Sequence, residues 1–145
     1  MLIISEAEAR LLLSCPLHCE GDFAWTSRRN RQKSHIFSAG LLDDSESATP
    51  MLVELACTRG VRAAETRYVF SVFIRKPYGQ ERVYQLEVVK GSRRRKDAHG
   101  RSHEHIGDLR LTGSAHWDDW SYHEVLDYSC AQANITFDPV VPSPK

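Results

Sequence analysis

The segment TRYVFSVFIRK, Thr66 to Lys76, decides the fold class. Its β-branched and aromatic residues alternate, with Tyr68, Phe70, Val72 and Ile74 on one face of an extended chain and Val69, Ser71, Phe73 and Arg75 on the other. Pro77-Tyr78-Gly79-Gln80 supplies turn residues, and Val83 to Val89 is a second β-branched run. Residues 67 to 89 are therefore expected to form an antiparallel hairpin. In its return strand, a period of two puts Tyr84, Leu86 and Val88 on one face and Val83, Gln85, Glu87 and Val89 on the other.

Further strands are expected on either side. Toward the N-terminus, Met51 to Thr58 alternates in the same way, His35 to Asp43 is apolar without helical spacing, and the Gly and aromatic residues of GDFAW lead into a strand over Asp22 to Ser27. Toward the C-terminus, Ile106 to Leu111 reads as a strand and TGSAH as a turn. Two helices frame the set. Ser5-Glu6-Ala7-Glu8 is a capping-box sequence that opens a helix from about Glu6 to Ser14, stopped by Pro16. Ser121 and Glu124 repeat the pattern before a helix reaching Ala133. The expected architecture is α+β: an antiparallel sheet of about five or six strands with an N-terminal and a C-terminal helix packed on it. Residues 1–138 form one domain. The tail 139–145, with three of the six prolines, is expected to be extended or frayed.

A chain of 145 residues buries roughly 68–70% of its unfolded surface, enough for one core. With 19 basic and 19 acidic residues, net charge argues for no class of partner, but the distribution is uneven. Arg28, Arg29, Arg31 and Lys33 form one basic run, and Lys90, Arg93, Arg94, Arg95, Lys96 and Arg101 another, with acidic stretches at 43–46 and 118–127. Such runs are solvated loops or phosphate-binding surfaces. No apolar run approaches the ~20 residues of a membrane span, and the acidic N-terminal segment lacks a signal's basic region. The expected location is the cytoplasm, where Cys15, Cys19, Cys57 and Cys130 stay reduced. Cys15, His18 and Cys19 offer three soft ligands for zinc, but the chain has no second cysteine pair at finger-like spacing.

The candidate chemistry sits in RRRKDAHGRSHEHIGD, Arg93 to Asp108. His103 and His105 are two apart, so a strand presents both imidazoles on one sheet face. In a metal-independent ribonuclease one imidazole removes the 2′-hydroxyl proton, a second group protonates the leaving oxygen, and a cation stabilises the phosphorane. His103 and His105 fit the base and acid, Arg101 or a residue of Arg93, Arg94, Arg95 and Lys96 fits the phosphate anchor, and no cofactor is required. A second reading has His99, His103 and His105 bind a divalent metal with Asp97 or Asp108. A third has them as ordinary polar residues at a strand entry. Trp117, Trp120 and Tyr122 read as core anchors for the second helix or as base-stacking platforms.

The order YQLEVVKG, basic loop, DAHGRSHEHIG, W-x-x-W and a closing helix ending in ANITF resembles small bacterial proteins akin to the TumE-like toxins. The resemblance covers about residues 65 to 137 and is most specific at His103-Glu104-His105. It implies a small protein of a toxin and antitoxin locus or a mobile element, acting on RNA or on a nucleic-acid-binding complex and paired with a cognate antitoxin. The alternative is a non-enzymatic phage or mobile-element inhibitor of a bacterial defence complex, of the anti-CRISPR kind, working through a charged surface. Arg28, Arg29 and Arg31 join the second basic run as partner-binding candidates. An exposed sheet edge offers a route to a homodimer.

Overall fold

The structure, a computed structural model, describes residues 2–21, 23–28, 33–59, 66–90 and 102–144. The elements are β1 (Leu2–Ile3), α1 (Glu6–Leu13), β2 (Leu17–Glu20), β3 (Thr26–Arg28), β4 (Lys33–Leu42), β5 (Ala48–Arg59), β6 (Arg67–Lys76), β7 (Gly79–Val89), β8 (His103–Ile106), β9 (Leu109–Thr112), a 3₁₀ turn (Ala115–Asp119), α2 (Tyr122–Ala133) and β10 (Ile135–Asp138). All strands belong to one sheet whose main path runs β10-β2-β4-β5-β6-β7-β8-β9, with β3 added to β4 and β1 to β7. Pairing is antiparallel except at β1–β7 and β10–β2. The class is α+β as expected, and the two helices lie where the caps put them. The strand count exceeds five or six because several short segments pair.

Three differences have clear physical causes. The expected strand Ile106 to Leu111 is a hairpin: Ile106 pairs with Leu109 around Gly107-Asp108, and Gly107 takes φ 56°, the left-handed backbone that a two-residue turn needs. Leu17–Glu20 is a strand because the helix end at Asn134, also left-handed at φ 59°, feeds β10 alongside it. The segment before β3 is not extended into the sheet. Its Phe23 and Trp25 rings join Phe37, Phe137 and Tyr122 in an edge-to-face cluster, and that aromatic packing decides the local path.

A fourth difference shapes the functional face. Val72 pairs with Tyr84 and Phe73 with Arg82, so Val83 is the extra residue of a β-bulge in β7. Val83 and Tyr84 both turn to the core, where each is fully buried, rather than to opposite faces. Beyond the bulge, Arg82 therefore lies on the same face as Gln85.

The core joins Phe70, Val72, Tyr84, Leu86 and Val88 of the sheet to Ala9 of α1 and to Tyr122, Val125, Leu126 and Ala133 of α2. At about 25 cal/mol per Å², such apolar burial is the main stabilising term. Helix α2 starts with a full capping box between Ser121 and Glu124. Helix α1 uses the Ser5 hydroxyl for Glu8 N and borrows the Asp108 carboxylate for Glu6 N, at 2.8 Å. The tail is extended but docked: Tyr122 Oη donates to Val141 O, Trp25 Nε1 donates to Pro142 O, and Val141 is buried. Among the described residues, no helix is long and apolar enough to cross a membrane.

Candidate functional site

Both helices pack on one face of the sheet, and among the described residues none lies on the other. On that second face the register lines up two neighbouring cross-strand rows. One runs Ser38, Glu54, Ser71, Gln85, His105, Arg110 and the other Ile36, Ala56, Val69, Glu87, His103, Thr112. Cross-strand neighbours stand about 4.5–5.5 Å apart at Cβ, so the polar side chains of these rows interact.

His103 and His105 do share a face, and their rings meet edge to face with centroids 4.9 Å apart. Their surroundings differ. His103 has a side chain only 7% exposed, with Nε2 3.2 Å from Glu87 Oε2. The other carboxylate oxygen of Glu87 is 3.0 Å from an Arg67 guanidinium nitrogen, so Glu87 bridges a cation and an imidazole. His105 is less buried and sits between Arg82 and Arg110. Desolvation first, then the charges of Arg82, His103 and Arg110, push its pKa down to about 4. It is therefore neutral at physiological pH.

Arg82 is part-buried, which lowers its pKa from the usual guanidinium range, although arginine remains charged. One terminal nitrogen reaches Gln85 Oε1 at a long 3.4 Å, while its buried Nε has no partner among the described residues. Gln85 is fixed from the other side by donating to Ser71 Oγ at 2.9 Å. A part-buried guanidinium whose shielded Nε–H is unspent, beside a neutral imidazole, favours an anion. Behind β8, Glu104 faces the core and accepts from Tyr84 Oη at 2.7 Å and Tyr128 Oη at 3.0 Å. Ser102 Oγ accepts from Val89 N and donates to Asp118, fixing the strand entry.

Of the residues singled out from sequence, His103 and His105 are brought together. Arg29, Arg31, Arg93, Arg94, Arg95, Lys96, Asp97, His99 and Arg101 lie outside the described residues, as does the side chain of Arg28. Asp108 turns away to cap α1 and does not join the histidines. The Cys15, His18, Cys19 trio does not assemble: Cys15 is exposed, whereas Cys19 is buried and its thiol pKa is raised by that burial. Trp117 is a core residue, stacked on the half-buried Trp120 at 5.0 Å. Sequence reasoning missed Arg67, Glu87, Arg82 and Arg110. Glu87 was legible as a polar residue on the non-core face of the hairpin, whereas Arg82 depends on the bulge. Comparison with known protein families, curated proteins and solved structures finds no match to this chain.

Proposed function

We propose that the protein is a small toxin-like, RNA-directed ribonuclease that works without a metal, with His103 and His105 as its proton-transfer pair. The observation that carries this reading is the edge-to-face His pair on a polar sheet face, with Glu87 behind one ring and Arg82 and Arg110 beside the other. His105, neutral and the more accessible, is the base for the 2′-hydroxyl. A phosphodiester anion bound beside it would offset Arg82 and Arg110 and raise the imidazole pKa toward the working pH, where a base is most effective. Glu87 orients His103, which protonates the leaving oxygen. Arg82 and Arg110 stabilise the phosphorane charge.

The test is cleavage of single-stranded RNA, together with growth inhibition on expression, by the parent chain and by His103→Ala and His105→Ala. Each variant should stay folded and lose both activities, by about 10²–10⁴-fold for a lost acid or base. Retained cleavage in both variants refutes the proposal. A stoichiometric complex with a bacterial protein and no RNA turnover would favour the inhibitor alternative.

A further inference from the structure

A second group of chemistry-bearing side chains lies away from the histidine face, on β2 and the turn between β4 and β5. His18 and Glu20 are two apart in β2 and so project to the same side of the sheet, and Glu46 reaches them from the turn. One ligand atom from each of the three lies within 4.8 Å of the other two. The His18 Nε2 to Glu20 Oε1 separation is 3.6 Å. Two ligands on a tetrahedral zinc ion with bonds of about 2.0–2.2 Å stand roughly 3.4 Å apart, so this pair is already at the edge length of such a site. Glu46, within 4.8 Å of both, has to close by at most about 1.4 Å to reach that edge, which an exposed carboxylate does by rotamer change.

The imidazole supplies a further observation. His18 Nε2 is shielded from solvent within a ring that is 21% exposed, and it has no hydrogen-bond partner, since Glu20 Oε1 stands off at 3.6 Å. A buried polar atom without a partner is costly, and neither carboxylate is close enough to satisfy it. A cation between the three groups would satisfy it and neutralise the charge of Glu20 and Glu46 together. The register adds Asp138, paired with Glu20, to the same end of the sheet, increasing the negative potential there.

We propose that His18, Glu20 and Glu46 bind a divalent transition-metal ion of the zinc type, with solvent in the fourth position. One imidazole and two carboxylates suit such ions better than calcium, which takes six or more oxygens. This site rests on residues other than those of the proposed ribonuclease reaction, and the fate of either proposal leaves the other standing. Its physical consequence is a clamp joining the β4–β5 turn to β2 and, through β2, to β10.

The test is calorimetric titration of the metal-stripped full chain with zinc chloride alone. We expect one binding event that weakens by about tenfold or more in each of His18→Ala, Glu20→Gln and Glu46→Gln and is unchanged in Cys15→Ser. Glu46 lies on an exposed turn, so Glu46→Gln keeps the test intact if His18→Ala does not fold. Cobalt(II) in place of zinc should give the visible bands of a tetrahedral site with no thiolate charge-transfer band. Zinc binding of parental affinity in both Gln variants, no binding by the parent, or a thiolate band overturns the proposal.

Discussion

Acidification should destabilise the protein through His105. Its pKa falls from 6.5 in the unfolded chain to about 4 in the folded one. Between those values the unfolded state holds the extra proton, so stability is full above about pH 6.5 and is lost as pH falls toward about 4. A shift of this size is nominally worth about 3 kcal/mol at 1.36 kcal/mol per unit. Because His105 is only part-buried, solvent screening brings it to about 1–2 kcal/mol. Urea unfolding at about pH 7.5 and about pH 4.5 measures the loss, and His105→Gln should reduce the difference between the two pH values by that 1–2 kcal/mol. Groups remote from His105 are common to both proteins and cancel, which leaves His105 and its coupling to His103, 4.9 Å away between ring centroids. An imidazole resonance of His105 titrating near 6.5 in the folded chain, or an unchanged pH difference in His105→Gln, would refute the burial and charge argument and with it the neutral-base assignment.

Three further substitutions probe what holds β8 in place. Gly107→Ala forces a side chain onto a left-handed backbone and into the carbonyls of Ile4 and Ser5, with Ile4 O only 2.8 Å from the new carbon, and should cost about 2–4 kcal/mol in urea unfolding. Tyr84→Phe leaves the buried Glu104 with the Tyr128 hydroxyl as its remaining tyrosine donor and should cost about 1–3 kcal/mol. Tyr128→Phe should cost less because Tyr128 is nearer solvent, and the reverse ranking would count against a core role for the pair.

The long hairpin, both helices and the shared face of the two histidines were legible because each rests on local chemistry. Alternation at Tyr68 to Ile74 gives β6, Ser121 and Glu124 give the start of α2, and a spacing of two gives the His pair. What was not legible depends on distant partners. β2 contains Cys19 and His18, which look like metal ligands side by side, yet its pairing with β10 sends one into the core and the other outward. The β8–β9 hairpin lay hidden in a run that scans as one strand, although Gly107-Asp108 was its signal. The bulge at Val83 follows from core packing against β6, and without it Arg82 would not reach the histidine face.

The pairing of β10 with β2 has a kinetic side. Ile135 meets Leu17 across more than a hundred positions of chain, and Phe137 meets Cys19 likewise. Contacts of that span pay their loop-closure entropy before they gain any packing, so they form late, whereas the β6–β7 hairpin closes through a two-residue turn. During synthesis the strands from β4 to β7 can zip while β2 waits with an open edge for a partner not yet made. The interval between those two events is when the chain is most prone to pair with another copy of itself.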